Sequence, residues 1–345
     1  MGQTLELGLD TFGDVTADAA GKPLSQAQVI RNLVDEAVLA DGLGVDFIGV
    51  GEHHRDDFAV SAPDVVLAAI AARTKRIRLG SAVTVLSSDD PIRVFQRFAT
   101  LDALSNGRAE VILGRGSFTE SFPLFGFELA HYEVLFAEKL SLFAELLKQQ
   151  AVTWSGQTRA PLSGQQVFPG VEKPPLKTWI GVGGTPESIV RAASYGLPLM
   201  LAIIGGAPAR FRGHVELYRR SLAEFGKPTQ PVGVHSPGYI AATDEQARDE
   251  FFPDYKRMRD RIGRERGWGP MGRAEFDQEI ERGSLYVGAP ETVAAKIAAT
   301  VKVLGVTRFD LKYSACPLSH DKIMRCIEHY GRTTIPKVHE LLAQG

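Results

Sequence analysis

Two cysteines in 345 residues are too few to staple a fold or build an all-thiolate metal site, and no Cys-x-x-Cys is present. The pair, Cys316 and Cys326, suits a reducing compartment. Long hydrophobic runs are missing too. Stretches such as 65–72 and 197–204 fall far short of the roughly 20 residues of a membrane span. Residues 1–6 carry neither a basic nor an apolar region, so no secretory signal is read there. Glu6 stands where a myristoylation pattern needs Ser or Thr. One-sided charge is also absent: 39 Lys+Arg face 41 Asp+Glu, a formal net charge of −2. That balance argues against nucleic acid or an anionic membrane as the main partner. The expectation is a soluble cytoplasmic protein.

What is present is an ordinary globular mix, with 44% hydrophobic and 23% charged residues, which excludes a mostly disordered chain. Glycine is in surplus: 35 residues, against about 24 at average usage. Such a surplus belongs at tight turns or where backbone closely approaches something else.

Short apolar runs alternate with helical stripes. Strands are expected at 5–10, 45–50, 76–86, 109–113, 178–182, 197–203, 232–241 and 308–312. Helices are expected at 26–39, 63–74, 91–104, 133–147, 186–195, 209–225, 245–262, 290–304 and 321–342. Residues 152–175 read as a Gly- and Pro-rich excursion with a small hairpin. Residues 263–283 are polar with weak periodicity and read as a loop, either a mobile lid or a solvated insertion. Alternating β and α units imply a parallel sheet. Eight units over this length predict one domain, 1–345, an α/β (β/α)8 TIM barrel with insertions after strands 4 and 7. An open doubly wound sheet is the alternative on pattern alone.

In such a barrel, chemistry belongs at the C-terminal strand ends. Strand 2 runs into Glu52-His53-His54-Arg55-Asp56-Asp57. Adjacent residues of an extended segment point to opposite faces, so His53 and His54 do not readily share a metal ion, and no metal is expected. A proton-transfer or hydrogen-bonding role for one His stands beside a merely structural one. Strand 4 runs into Gly114-Arg115-Gly116, where glycine permits close approach and Arg offers a fork for phosphate. An Arg paired to a nearby carboxylate is the competing reading. Strand 5 runs into Gly183-Gly184-Thr185-Pro186-Glu187-Ser188, a helix start with two hydroxyls three residues apart. This is a candidate anion site, although plain capping accounts for the same residues, and Glu187 favours the helix dipole. Ser87, Ser88, Asp89 and Asp90 after strand 3 read as helix caps.

Several stretches together resemble the bacterial-luciferase-like flavin-dependent monooxygenases and oxidoreductases. They are Gly49–His54, the strand ending in Glu52-His53-His54; the run from Arg76 through Asp90-Pro91 and Ser105-Asn106-Gly107-Arg108 to Gly114-Arg115-Gly116; and Gly183-Gly184-Thr185 through Tyr195-Gly196-Leu197-Pro198. Val287-Gly288-Ala289-Pro290 adds a weaker match. The resemblance implies a (β/α)8 barrel that binds reduced FMN at its mouth. Arg115, Gly184, Thr185 and Ser188 would hold the phosphate, with Gly114 and Gly183 beside them. Ala82-Val83 falls where family members carry a cis peptide or bulge beneath the isoalloxazine ring. His53 matches a catalytic His of light-emitting members. The luciferase subunits carry a Glu-Ser pair where this chain has Gly184-Thr185, a departure that counts against luciferase proper but not against phosphate binding.

The same family uses the deazaflavin F420, which stays as the alternative cofactor. No Rossmann fingerprint is present, so reduced flavin would come from a separate reductase, or NAD(P)H would bind transiently. The implied reaction is monooxygenation of a small, apolar organic substrate by reduced FMN and O2, walled by Phe12, Phe118, Phe122 and Phe125, with His53 as base or oxyanion stabiliser. A low-turnover flavin-binding protein, and a lyase barrel with Lys312 as Schiff-base lysine, are the other readings. The resemblance also implies a homodimer through the helices after strands 1 to 3.

Overall fold

The computed structural model describes residues 5–315 and 317–344. Cys316 and residues 1–4, read above for compartment and leader, lie outside the described residues. Eight parallel strands follow the chain: β1 (Glu6–Thr11), β2 (Phe47–Val50), β3 (Arg78–Ser81), β4 (Ala109–Gly114), β5 (Lys177–Val182), β6 (Leu199–Ala202), β7 (Val232–Ile240) and β8 (Arg308–Lys312). Each pairs with the next, and β8 returns to β1 with Arg308 opposite Glu6. The expected (β/α)8 barrel is therefore the fold, and the open sheet is not. Barrel strands are covered outside by helices and filled inside by side chains, which is why they read as apolar runs. All nine residues of β7 are buried.

The covering helices are α1 (Gln26–Gly42), α2 (Pro63–Arg73), α3 (Pro91–Ser105), α4 (Tyr132–Leu146), α5 (Pro186–Ser194), α6 (Arg212–Glu224), α7 (Asp244–Arg266), α8 (Arg273–Glu281), α9 (Pro290–Leu304), α10 (His320–His329) and α11 (Ile335–Ala343). Local chemistry sets their ends. The Asp90 carboxylate accepts from the backbone N–H groups of Ile92 (2.9 Å) and Arg93 (3.2 Å), Pro91 opens α3, and Asn106 closes it at φ 56°. The capping expectation for this loop holds for Asp90.

Four expectations need correction. The strand read at 76–86 stops at Ser81. The Ala82–Val83 peptide is cis, and a short strand at Thr84–Val85 then pairs with β4. Residues 263–283 are mostly helical, because α7 continues to Arg266 and α8 follows. Only Phe276 and Ile280, one turn apart, are buried in α8, so its apolar stripe was too thin to register. A strand at Tyr286–Gly288 adds to β7. The last helix is interrupted by a π turn at Tyr330–Thr334. Pro336 sits just beyond it and has no N–H to donate back. The hairpin expected in 152–175 is present as Val152–Trp154 and Leu162–Gln165.

The barrel interior is not purely apolar. Arg308, fully buried, lies over the Phe47 ring at 3.5 Å and donates to Glu110 (2.7 Å) and to Asp310 (2.9 Å). Lys177 and the Trp179 indole each donate to Glu110 at 2.9 Å. Gly8 opposes this layer. A Cβ there would fall 2.2 Å from Asp310 Oδ1. Gly8→Ala is expected to destabilise the protein by about 1–3 kcal/mol through overpacking, read as a lower urea midpoint with unchanged slope.

Candidate active site

The C-terminal strand ends enclose a cavity of about 340 Å³ lined by residues from all eight strands or their loops. Seven of the predicted site residues other than His53 line it: Ala82, Val83, Gly114, Arg115, Gly183, Thr185 and Ser188. Gly184 stands beside them at φ 110°, its carbonyl accepting from His214 Nε2 at 2.9 Å.

One end gathers hydroxyls and a guanidinium at a helix start. Thr185 is the N-cap of α5, yet its hydroxyl makes no capping hydrogen bond, so it remains free for other partners. The buried Ser188 hydroxyl has no partner at all. Buried polar groups are rarely left so without a reason, and here both hydroxyls meet the positive end of a helix. Arg115 reaches Thr185 Oγ1 at 3.4 Å and lies over the Tyr132 ring at 5.3 Å. It also pairs with Glu133, whose second oxygen accepts from Arg191 at 3.2 Å. Both readings of Arg115 thus meet at one place, because a half-exposed carboxylate sits between two arginines at the mouth of the cradle. Glu187 is exposed, outside it.

The middle of the cavity has an apolar floor. Val83 settles between β4 and β5, where a Cβ on Gly114 would fall 2.5 Å from it and one on Gly181 2.9 Å. Glycine at both positions lets this side chain come up under the cavity.

The far end is aromatic. Backbone alternation separates the two histidines as expected. His54 pairs with Glu52 at 3.0 Å, and Glu52 also accepts from the Val85 N–H at 2.9 Å. His53 turns into a box of Phe12, Phe58 and Phe118, with ring centroids 4.7, 4.3 and 5.1 Å away, and its Nε2 has no partner. Burial first, then the charges of Lys312 and Arg55, pushes its pKa down to about 3. The ring is neutral at ordinary pH. It suits hydrogen bonding to a ligand better than strong proton withdrawal. The folded-state pKa lies below the unfolded value of 6.5, so its stabilising contribution is present above that pH and is lost as pH falls toward about 3. His53→Phe is expected to lose less stability than the natural sequence between pH 6.5 and 3, measured by urea unfolding at each pH.

Of the four expected Phe walls, Phe12 and Phe118 line the cavity. Phe122 is fully buried behind it, stacked on Tyr132 at 5.5 Å, and Phe125 faces a second, polar cavity. Lys312 donates to Asp14 at 2.8 and 2.9 Å and does not line the cavity, which leaves the Schiff-base reading without a free amine there. Among the described residues no group of His, Cys, Asp or Glu is arranged to hold a metal ion.

One pair escaped the sequence reading. His235 Nδ1 lies 2.5 Å from Asp10 Oδ2, and both residues line the cavity. They are 225 positions apart. The available signal was His235 standing in a strand that is otherwise mostly apolar.

A closed parallel barrel whose strand ends join a cluster of polar donors to an aromatic chamber is the architecture of a small-molecule enzyme of the (β/α)8 class. Within that class the chain belongs to the luciferase-like monooxygenase family, whose model matches residues 11–308. It is 25% identical over 246 residues to the alkanal monooxygenase alpha chain of Photorhabdus luminescens, covering 68% of this chain and 65% of that one. The fold is shared with monooxygenase RslO1 from Streptomyces bottropensis, at TM-score 0.84 and 23% identity over 96% of this chain and 99% of that one. It is shared also with the FMN complex of the oxygenating constituent of 3,6-diketocamphane monooxygenase from Pseudomonas putida, at TM-score 0.75 and 19% identity over 97% and 99%. An F420-dependent secondary alcohol dehydrogenase, bound to an F420–acetone adduct, matches at TM-score 0.75 and 16% identity over 97% and 99%. Membership makes the chain an oxidoreductase. No helix among the described residues is long and apolar enough to cross a membrane.

Proposed function

We propose that this protein is an FMN-dependent monooxygenase that uses reduced FMN and O2 on a small organic substrate with a largely apolar body. The observation that carries the reading is the unpartnered Ser188 hydroxyl beside the uncommitted Thr185 N-cap and Arg115, at the start of α5. Two hydroxyls, a guanidinium and a helix N-terminus form the donor set of a phosphate site. When bound, reduced flavin supplies the electrons that activate O2. The chain's residues do the rest. Arg115, Thr185 and Ser188 hold the phosphate, with the Gly114, Gly183 and Gly184 backbone beside it. Ala82 and Val83 support the ring, and the Phe12, Phe58 and Phe118 box keeps water from His53. His53 is the hydrogen-bonding catalytic residue of this reading.

FMN and F420 both carry phosphate, so affinity alone does not separate them. The test is substrate-independent: titrate the apoprotein with each oxidised cofactor, then supply each reduced cofactor under an oxygen electrode. Tight FMN binding with protein-dependent O2 uptake supports the proposal. Binding of F420 alone overturns it. Addition of NADPH to the FMN-loaded protein reports whether reduction needs a separate reductase, as the absence of a dinucleotide fingerprint suggests.

We also propose a homodimer. Val65 on α2, Leu104 on α3 and the adjoining Phe168 are 66%, 59% and 67% exposed around one shallow apolar groove. Large exposed apolar side chains grouped on one face mark a binding surface, and a second copy of this chain is the occupant proposed. Leu104→Glu is expected to shift the sedimentation coefficient from dimer to monomer.

A further inference from the structure

The wall of the cavity formed by β1, β7 and β8 is polar in a way that an apolar substrate does not require. Asp10 is buried, and one of its oxygens meets His235 at 2.5 Å. Its other oxygen, Oδ1, is buried with no partner. A carboxylate facing Nδ1 places the ring proton there, so Nε2 is left as an acceptor on the cavity side. Phe12 stacks on the imidazole at 5.7 Å, with the rings within 15° of parallel, and fixes its plane. The remaining charged group on this wall, Asp310, is already held by Arg308. His53 meets the same Phe12 ring edge-on, at 4.7 Å. The wall therefore offers His235 Nε2 as an acceptor with no protein donor, beside a carboxylate whose buried Oδ1 has no partner either. A ligand that brings a donor pairs with this acceptor and is selected over one that does not.

The geometry points to His235 as a second catalytic residue, a general base for a substrate that carries a phenolic or enolic hydroxyl on an apolar body, with Asp10 as its positioning residue. The inference rests on the flavin reading only in assigning the Val83 side of the cavity to the ring and the β1–β7–β8 side to the substrate. The step is a proton transfer. The substrate O–H bond breaks, an N–H bond forms at Nε2, and the electron pair stays on oxygen. The imidazolium so formed is held against the Asp10 carboxylate. Deprotonation makes the substrate electron-rich, which favours its attack on an electrophilic oxygen donor.

The test uses p-nitrophenol, whose visible spectrum differs between phenol and phenolate, with p-nitroanisole as the analogue lacking the hydroxyl. Both are titrated into the FMN-loaded protein below the solution pKa of p-nitrophenol. The expected result is at least tenfold tighter binding of p-nitrophenol and a phenolate spectrum for its bound form. His235→Phe should keep p-nitroanisole binding, equalise the two affinities and return the neutral spectrum. Asp10→Asn should bind p-nitroanisole normally and lose the phenolate signature, a change that a purely structural role would not produce. Equal affinities in the natural sequence, a neutral bound spectrum, no binding of either probe, or an unchanged signature in His235→Phe would each overturn the inference. Quenching of FMN fluorescence by the protein is recorded separately. Loss of FMN binding is failure of the flavin reading, while the probe titration repeated without FMN still reports on His235.

Discussion

Glu110→Ala should unfold with about 3–5 kcal/mol less free energy than the natural sequence. Glu110 is buried and answers three cations at once, Arg308, Lys177 and Arg78. Removing it takes the shared buried partner from all three cations and leaves Arg308, packed against the Phe47 and Trp179 rings, to Asp310, and Arg78 and Lys177 to the part-exposed Glu6. Native stability is itself only about 5–15 kcal/mol, so the loss is a large fraction of the whole. Burial alone would raise the Glu110 carboxyl, but Arg308, Lys177 and Arg78 outweigh it and hold it at about 2. The folded value lies below the unfolded 4.5, so this contribution is present above that pH and is lost as pH falls toward about 2. The shift corresponds to roughly 3 kcal/mol. Urea unfolding across that range should therefore show a steeper acid loss in the natural sequence than in Glu110→Ala. Similar unfolding free energies at neutral pH would sink the argument. So would parallel acid profiles.

The barrel was legible because closed parallel strands must be apolar on both faces and their covering helices on one. Those two periods repeat along the chain from Glu6 to Lys312. The donor-bearing helix start was legible for a local reason: Gly183 to Ser188 is contiguous, and a helix start is a property of neighbours in sequence. What escaped depends on distance along the chain or on thin signals. The α8 stripe consists of Phe276 and Ile280 among charges, too little for a period to show. The Glu133 bridge joins Arg115 to Arg191 across two helices, and nothing in the sequence around Glu133 distinguishes it from an ordinary first-turn acid. Asp10 and His235 meet only because β1 and β7 both flank β8. The resemblance carried His53 forward, and the structure places it in the chamber, although its aromatic box and neutral state were not visible in Glu52-His53-His54. The glycine surplus divides along the same line. Gly183 and Gly184 were readable as a helix approach. The need for Gly114 and Gly181 became clear only when Val83 was seen between them.

Arg115→Ala is expected to weaken FMN binding by about tenfold to a hundredfold, equivalent to the roughly 1.5–3 kcal/mol of a hydrogen bond to a charged group. The guanidinium is 23% exposed, so solvent screens part of its attraction and the lower half of that range is the better expectation. Riboflavin has the same ring without the phosphate, and its affinity should not change. That comparison separates a lost phosphate contact from a damaged chamber. Ser188→Ala should act in the same direction but more weakly, because it removes one neutral donor and leaves the helix end intact. Glu133→Gln should act in the opposite direction. Its carboxylate now pairs with both Arg115 and Arg191 at the mouth of the cradle, and an incoming phosphate must compete with it. The neutral amide releases both arginines and removes a like charge beside the ligand. Flavin fluorescence quenching measures all four affinities. Unchanged FMN affinity in Arg115→Ala would falsify the phosphate assignment. A parallel fall for riboflavin would show instead that Arg115 supports the chamber through Glu133 and Tyr132.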